Sequence, residues 1–181
     1  MYKRQRLNYS NYGVELLSSD NQEIIKKRSI NLIDLNNKRK KIEQNILNSL
    51  DFEKIKKENK NVIIYHDDNI HEGLIGIIAA RLKDHFNKPS IVITKSNNYL
   101  KASARSTSSY NVGHLIKLLI DKKIIENGGG HNLAAGFSFK KKNIYLLRSF
   151  IEKDFSKKNI NLDNSIRYDS CLLYTSPSPR D

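Results

Sequence analysis

The sequence has little of what disulfide-linked, cysteine-metal or membrane-spanning proteins require. Its 181 residues include one cysteine, one methionine, three prolines, eight glycines and no tryptophan. The single cysteine, Cys171, excludes an internal disulfide and any cysteine-based zinc site. No apolar run is long enough to span a bilayer, and the basic start lacks the apolar block of a signal peptide. We therefore expect a cytoplasmic protein.

Acidic residues are also in deficit. The chain has 19 Asp and Glu against 32 Lys and Arg, which gives a formal net charge of +13. A chain this basic commonly binds polyanions such as nucleic acid. Lysine, asparagine and isoleucine are abundant as well, and an A/T-rich coding sequence supplies these residues by default. Charge alone therefore leaves nucleic-acid binding and base composition as equal explanations.

The two ends of the chain differ from the rest. Residues 1–5 (MYKRQ) and 171–181 (CLLYTSPSPRD) are similar to translated sequencing-adapter read-through, and the second is a Ser/Pro cluster without periodicity. We expect both segments to be adapter-derived and exclude them from the fold prediction. The native chain is then expected to continue beyond both ends.

A long helix is predicted in the first third of the chain. Asp20 followed by Glu23 has the form of a helix N-terminal cap, and the helix is expected to reach about Lys57. Its narrow apolar stripe fits either a connector between two domains or an ordinary surface helix. The stripe consists of Ile25, Leu32, Leu35, Ile42, Ile46 and Leu50.

From residue 60 the pattern becomes that of an α/β domain. Strands are predicted at residues 62–66 (VIIYH), 90–94 (SIVIT), 99–106 (YLKASARS) and around 135–139, where Ala135, Phe137 and Phe139 alternate with small residues. Helices are predicted at 71–86, ended by Asn87 and Pro89, at 112–124 and at 144–155. This order predicts a compact domain with a mixed sheet flanked by helices.

Two clusters could bind an anion. Gly128, Gly129 and Gly130 precede His131, and a glycine run between helix and strand can cradle a phosphate with its N–H groups or serve only as a mobile connector. In the extended segment KASARS, Ser103 and Arg105 share a face with Lys101, while Ala102, Ala104 and Ser106 face the other way. A guanidinium fork matches two phosphate oxygens, although a polar edge strand explains the segment equally well.

A third cluster could bind metal. The segment HDDNIHEG contains His66, Asp67, Asp68, His71 and Glu72, and Mn²⁺ or Mg²⁺ favours such oxygen ligands. The spacing matches no established ligand motif, and Asp and Asn between a strand and a helix commonly cap. Capping is therefore favoured over metal binding here.

Taken together, three motifs resemble the DHHA1 domain of the RecJ-type single-stranded-DNA exonucleases, which belong to the DHH phosphoesterase superfamily. They are HEGLIGIIAARL (71–82), KASARS (101–106) and GGGHNLAAGFSF (128–139). Their order and spacing fit over about residues 62–158, and the long helix before them resembles that family's interdomain connector.

The resemblance implies roles for several residues. Ser103, Arg105 and Ser106 would bind the terminal phosphate of the nucleic acid, and the Gly129-Gly130-His131 loop would line the same cleft. Arg6 would be the last residue of the family's asparagine- and glycine-rich arginine motif and would approach from the linker side. Ala102 and Ala104 stand where glycines are common in the family, which narrows the space beside Arg105.

The resemblance also implies a division of the chain. Residues 6–58 would be the end of a DHH domain with its connector helix, 60–158 the DHHA1 domain, and 159–170 the start of a link to a missing OB-type domain. There is no Asp-His-His triplet in the sequence. The family's divalent metal centre, Mn or Mg, is therefore expected in a missing DHH domain, with no catalytic residue and no metal ligand in this fragment.

The function implied is that of the nucleic-acid-binding part of a 5′-to-3′ single-stranded-DNA exonuclease used in repair and recombination. A helicase and a single-strand-binding protein are expected partners. One alternative is an oligoribonuclease or cyclic-dinucleotide phosphodiesterase of the same superfamily, against which the connector and residues 71–82 argue. Another is a non-catalytic RNA-binding appendage of the kind found in alanyl-tRNA synthetases.

Overall fold

The computed structural model describes residues 11–58 and 60–157. The expectations for Arg6, for residues 1–5 and for residues 159–181, including a strand at 166–170, lie outside these ranges. The described helices are α1 (Asn11–Ser18), α2 (Gln22–Ser49), α3 (Phe52–Lys57), α4 (Ile75–Phe86), α5 (Val112–Asp121) and α6 (Ile144–Lys157). The described strands are β1 (Ile63–His66), β2 (Ser90–Ser96), β3 (Tyr99–Arg105), β4 (Asn127–His131) and β5 (Ala134–Phe139).

The strands form one sheet in the order β1-β2-β3-β5-β4. β1 and β2 are parallel, with α4 as the crossover between them, and the other neighbouring strands are antiparallel. Helices cover both faces of the sheet, with α4 on one and α5 and α6 on the other. The predicted mixed sheet flanked by helices is therefore confirmed.

One face of the sheet, here called the packed face, forms the larger core. The predicted inward alternation of Ala135, Phe137 and Phe139 is confirmed, because all three are buried there. Each large apolar side chain that is fully buried contributes about 1.5–3 kcal/mol relative to exposure. The packed face combines β2 and β3 with α5 and α6 through Ile91, Ile93, Ala102, Ala104, Leu115, Leu119, Leu147 and Ile151.

The opposite face, here called the open face, is covered only on one side. Helix α4 packs over β2 and β3, where its buried Leu74, Ile78 and Leu82 join Ile63 and Val92 in a second core. Nearer β5 and β4 the same face carries small and polar residues that are partly or fully exposed. This uncovered half of the sheet positions the predicted site.

The predicted connector helix differs from the observed one at both ends. Its cap is Asn21, not Asp20, because the Asn21 side chain accepts hydrogen bonds from the N–H groups of Glu23 and Ile24. The helix also ends at Ser49, since Leu50 takes an extended conformation and buries its side chain. Asp51 then caps the separate short helix α3. Within 11–58 and 60–157, no helix is both long and apolar enough to cross a membrane.

A buried carboxylate attaches the connector to the domain. Glu43 is only 6% exposed on α2, a helix whose other side chains are exposed or half-buried. Its carboxylate accepts hydrogen bonds from Arg39 Nη1 at 2.7 Å and from Arg81 Nε of α4 at 2.9 Å. Burying a carboxylate costs desolvation free energy, and its two arginine partners compensate for that cost. Removing either arginine would leave the buried charge partly uncompensated. The pair therefore holds α2 against α4.

Two boundaries in the domain also depart from the sequence prediction. Helix α4 begins at Ile75 and not at His71, because residues 71–74 form a turn in which Leu74 N donates to the His71 carbonyl. Its end is as predicted, with Asn87 in the left-handed region just before Pro89. Helix α5 ends at Asp121, before the predicted 124.

The glycine run is a strand, and the predicted loop is wrong. Gly128, Gly129 and Gly130 lie in β4 and pair with Phe137, Gly136 and Ala135 of β5. No described glycine has a positive φ, whereas a phosphate-cradling nest needs a left-handed residue. The glycines are needed for close packing instead.

The three glycines of β4 have different surroundings. A Cβ added at Gly128 would lie 2.8 Å from Phe137 Cβ and 2.9 Å from Ile116 Cγ2, on the packed face. One at Gly130 would lie 2.4 Å from the Ala134 carbonyl oxygen. One at Gly129 would meet no atom of the described residues within 4 Å. Two glycines thus allow β4 to approach its neighbours, and the middle one leaves the open face clear.

Gly128→Ala and Gly129→Ala form a matched pair for testing this difference. Both remove the same glycine flexibility from the unfolded chain, but only Gly128→Ala inserts a methyl group into a filled core. Overpacking of this kind costs about 1–3 kcal/mol. We expect urea unfolding to show Gly128→Ala less stable than Gly129→Ala by about that amount. Equal midpoints for the two variants would contradict this account of β4.

Candidate functional site

Cross-strand pairing brings the predicted residues together on the open face. Arg105 of β3 pairs with Ala134 of β5, which pairs in turn with His131 of β4. Directly paired residues in a sheet point to the same face. Arg105 and His131 are therefore two strand spacings apart, about 10 Å between their Cα atoms, with only an alanine between them.

A second row runs beside the first. Ser103 pairs with Gly136, and Gly136 pairs with Gly129. The nearest atom to a Cβ placed on Gly136 is the Ala102 carbonyl oxygen at 3.9 Å, and both glycines are exposed. The surface between β3 and β4 is therefore a floor on which the methyl group of Ala134 is the side chain between the borders, with Ser103 and Arg105 on one side and His131 on the other.

Helix α4 forms the wall beside Arg105. A Cβ added at Gly76 would lie 3.2 Å from Ser103 Oγ and 3.3 Å from Arg105 Nη2, so a glycine lets the helix approach both groups. Arg105 Nη1 also donates to the Ala104 carbonyl at 3.2 Å. A shallow cleft of about 250 Å³ at this wall is lined by Gly73, Gly76, Ile77, Ala80, Arg81, Asp84 and Arg105.

The His131 residue is exposed, and one of its ring nitrogens has a hydrogen bond within the turn. Its Nδ1 accepts a long hydrogen bond, 3.4 Å, from the backbone N–H of Leu133. A neutral ring that accepts at Nδ1 carries its proton on Nε2. The exposed edge of His131 is therefore a hydrogen-bond donor that needs no positive charge.

The turn that carries His131 is fixed from two sides. The N–H of Ser106 donates to the Leu133 carbonyl, and the N–H of Val112 donates to the Asn132 carbonyl. Asn111 Nδ2 donates to Asn132 Oδ1 at 2.8 Å. The turn is thus tied both to the end of β3 and to the first turn of α5. These hydrogen bonds fix the position of His131 relative to Arg105.

Two of the predicted phosphate-binding residues face away from the floor. Ser106 is 4% exposed, and its hydroxyl donates to the Tyr110 carbonyl at 2.6 Å. Gly130 pairs with the buried Ala135, and the Cβ position it leaves empty faces the packed side. Ser106 and Gly130 therefore lie on the packed side of the sheet, where they support the backbone of the site and do not face the floor.

Lys101 continues the border of the floor away from Arg105. It pairs with Ser138 of β5, which pairs with Asn127 of β4. Lys101 Nζ donates to Glu72 Oε2 at 2.7 Å, and Ser96 Oγ donates to the same oxygen at 2.8 Å. These hydrogen bonds, that from Lys101 above all, lower the pKa of the Glu72 carboxyl. Glu72 therefore stays ionised and orients Lys101.

The residues considered for metal binding are not arranged as a metal site. His66 Nε2 is bonded to Asp68 Oδ1 at 2.8 Å, the Asp67 carboxylate caps the N–H of Asn69, and Glu72 is engaged by Lys101. The described ranges contain no group of three or more His, Cys, Asp or Glu that could hold a metal ion. The described residues therefore do not fit a metal centre, and capping explains part of the segment.

Cleft volume alone would favour a different location. A groove of about 730 Å³ lies beside β1, the sheet edge opposite β4, and its lining includes Lys54, Lys60, Lys88 and Arg148. It contains none of Ser103, Arg105, Gly129 and His131. The open face is the better candidate, because its pairing register gathers Ser103, Arg105 and His131 around a floor of small residues.

Sequence reasoning missed the residues that make the floor and its wall. Gly136 and Ala134 stand between the predicted groups, Gly76 admits α4 to β3, and Glu72 orients Lys101. For Gly76, Ala134 and Gly136 the sequence indicates only a small side chain, and for Glu72 only a carboxylate in the segment considered for metal binding. Which small residue faces the site depends on register across three strands, and a strand pattern alone does not provide that register.

Comparison with known proteins gives a consistent family assignment. The DHHA1 domain matches residues 59–157. A single-stranded-DNA-specific exonuclease RecJ of Haemophilus influenzae is 30% identical over 147 residues, which is 75% of this chain and 25% of that protein. A putative prophage-derived single-strand DNA-specific exonuclease of Bacillus subtilis is 29% identical over 113 residues, 60% of this chain and 19% of that protein. This chain thus spans a quarter or less of these relatives' length.

Solved structures agree on the fold. RecJ of Thermus thermophilus in complex with Mn²⁺ superposes with a TM-score of 0.74 at 20% identity, over 86% of this chain and 23% of that one. An exonuclease RecJ bound to manganese superposes with a TM-score of 0.69 at 20% identity, over 88% and 41%. At this identity the likeness supports the fold alone.

The Glu72 contacts predict a pH dependence of stability. A carboxyl with a lowered folded-state pKa stabilises the fold above its unfolded value of about 4.3, and this contribution is lost as pH falls through the folded value. We expect Glu72→Gln to flatten the change in urea midpoint between about pH 3 and pH 6. Glu53→Gln, an exposed carboxylate on α3, is the control for loss of charge. Identical pH profiles for Glu72→Gln and the unchanged protein would refute the role of this pair.

Proposed function

Since the chain belongs to the DHHA1 domain family, we propose that its open face binds the 5′-terminal phosphate of single-stranded DNA. In this proposal the chain is the nucleic-acid-binding part of a 5′-to-3′ exonuclease. The names of the relatives, which are single-strand DNA-specific exonucleases, support the choice of ligand. The net charge of +13 has the sign that favours binding of a polyanion such as DNA.

The observation that carries the proposal is the row Arg105, Ala134 and His131, with Ser103, Gly136 and Gly129 beside it. Donor groups border both sides of a floor that consists of two glycines and one alanine. A bound phosphate accepts hydrogen bonds from donors around it, and the sugar attached to it needs a surface without bulky side chains. The packed face, which is filled with apolar side chains, offers neither.

Each residue has a definite part in the proposal. The Arg105 guanidinium presents paired N–H groups that match two phosphate oxygens, and hydrogen bonds to charged groups contribute about 1.5–3 kcal/mol. Ser103 lies two residues away on the same face and supplies a hydroxyl. His131 supplies an N–H from the opposite border. Gly129 lies two residues from His131 on β4, and together with Gly136 of β5 it leaves room for the nucleotide. Arg6 would add a further contact.

Hydrolysis in this proposal takes place outside the described residues. The similar RecJ structures contain Mg²⁺ or Mn²⁺, and a divalent ion can activate water for attack on a phosphodiester. No described group of this chain can hold such an ion. The described residues therefore bind and orient the strand. Action in DNA repair and recombination, a cytoplasmic location, and work with a helicase and a single-strand-binding protein belong to the same proposal.

The division of labour can be tested on the 181-residue chain. We expect it to bind single strands weakly and to cleave none when supplied with Mn²⁺, because the ion has no described site. The measurement is the length distribution of a labelled oligonucleotide after long incubation. Cleavage that copurifies with the chain and tracks its concentration would contradict the assignment of hydrolysis to another domain.

Arg105→Ala tests the phosphate site directly. Each lost phosphate contact reduces the slope of log affinity against log salt by about 0.7 for a single strand. We expect this variant to lower that slope and to weaken binding of a 5′-phosphorylated oligonucleotide by about 1–3 kcal/mol. Fluorescence anisotropy at several salt concentrations measures both effects.

The control for this variant is Arg148→Ala, which removes the same charge from the groove beside β1. It should leave the preference for a 5′-phosphate over a 5′-hydroxyl intact. If Arg105→Ala also left that preference intact, the proposed phosphate site would be wrong. Comparing hydrolysis rates of long DNA and dinucleotides by the full-length parent protein separates the proposal from a dinucleotide phosphodiesterase.

A further inference from the structure

The open face continues past the proposed phosphate site along β3. Every second residue of a strand faces the same way, so Tyr99 lies on the same face as Lys101, Ser103 and Arg105. A strand of this kind advances about 3.4 Å per residue, which places Tyr99 about 20 Å from Arg105. The floor between them is formed by the partners of β3 on β5 and β4.

A second concavity lies at the Tyr99 end. It has a volume of about 320 Å³ and is lined by Asn98, Tyr99, Lys101, Asn127 and Ser138, with neighbouring β2–β3 turn residues. Lys101, Ser138 and Asn127 form one cross-strand row on the open face. This concavity therefore opens on the same face as the phosphate site, and the two clefts share no lining residue.

The part of the open face that runs from Arg105 to Tyr99 is here called the track, and the charge differs between its two ends. At the Arg105 end, donors border the floor. At the Tyr99 end, the ammonium of Lys101 is already paired with the Glu72 carboxylate, which the hydrogen bonds from Lys101 and Ser96 keep ionised. A neutral pair containing a carboxylate attracts a phosphate weakly. This end therefore suits an uncharged aromatic group better than a second phosphate.

Tyr99 has the exposure that stacking requires. Its side chain is 43% exposed at the edge of the concavity, so one part of the residue is supported by the sheet and another part is accessible. Aromatic side chains bind single strands without sequence preference, because every base has a face on which they can stack. Asn98, Asn127 and Ser138 provide polar groups around such a base.

We propose that Tyr99 stacks on a base of the same strand whose 5′-phosphate contacts Arg105. The inference rests on the proposed function and extends it to the substrate class. Stacked nucleotides advance about 3.4 Å each, so the 20 Å track accommodates up to about six stacked nucleotides and fewer extended ones. A dinucleotide held at Arg105 falls short of Tyr99. The chain is therefore built for single strands longer than a dinucleotide.

The test compares two probes on the 181-residue chain. One is a 5′-phosphorylated dithymidylate and the other a 5′-phosphorylated oligothymidylate of about eight nucleotides, both measured by competition anisotropy. Loss of one stacking residue weakens single-strand binding by about 1–3 kcal/mol, which is about fivefold or more. We expect Tyr99→Ala to lose at least that factor on the longer probe and to bind the dinucleotide unchanged.

Two further variants make the test specific. Tyr99→Phe keeps the aromatic face and should retain the affinity for the longer probe. Tyr145→Ala removes a tyrosine that is 82% exposed on α6, away from the track, and should leave both affinities unchanged. Far-ultraviolet circular dichroism confirms that each variant keeps the fold. If Tyr99→Ala and Tyr145→Ala bound the longer probe equally well, the inference would be overturned.

The outcome separates this inference from the proposed function. Loss of the 5′-phosphate preference in Arg105→Ala, with no effect of Tyr99→Ala, would leave the phosphate site standing and remove the stacking residue. An effect of Tyr99→Ala with an unchanged phosphate preference in Arg105→Ala would leave Tyr99 as a base contact, but would refute the phosphate site and with it the placement of the strand between Arg105 and Tyr99. If Tyr99→Ala weakened binding of the dinucleotide and of the longer probe by the same factor, Tyr99 would act on both ligands alike. That result would contradict its proposed position at the far end of the track.

Discussion

The close approach of β4 to its neighbours is the constraint on which the site depends. Gly128 and Gly130 remove the Cβ atoms that would otherwise collide with Phe137, Ile116 and the backbone of β5. With β4 seated, its register places His131 opposite Ala134 and, one strand farther, Arg105. A shift of one residue would turn His131 toward the packed face. Packing between backbones therefore determines which polar groups border the floor.

The same constraint explains the chemistry of the open face. Its floor is open because Gly129 and Gly136 face it beside the small Ala134, and the turn after β4 is held by hydrogen bonds to Ser106, Asn111 and Val112. Donor groups held apart in this way are preorganised for a ligand that fits between them. The second core beneath α4, together with the Glu43 ion pairs, anchors the connector on the other side of Arg105.

Periodicity was sufficient to predict most of the fold. The inward alternation of Phe137 and Phe139 and the strand faces of Ser103 and Arg105 follow from local pattern, because alternation is a property of a single strand. The predicted cap at Asp20 is wrong because the neighbouring Asn21 competes for that position, and the predicted helix end near Lys57 is wrong because burial of Leu50 breaks the helix. The run Gly128-Gly129-Gly130 is predicted as a single loop, because three identical residues give no indication of which atoms surround each of them in the fold. The family resemblance of three motifs supplied what pattern could not, and the DHHA1 domain match agrees with it.

Amide chemical-shift mapping tests the central claim most directly. A 5′-phosphorylated oligothymidylate and its 5′-hydroxyl counterpart are titrated into the labelled chain, and the difference between the two shift patterns is placed on the sequence. The account predicts that the difference concentrates on Ser103, Arg105, Gly129 and His131. A difference centred instead on the basic groove beside β1, around Lys54, Lys60, Lys88 and Arg148, would contradict it.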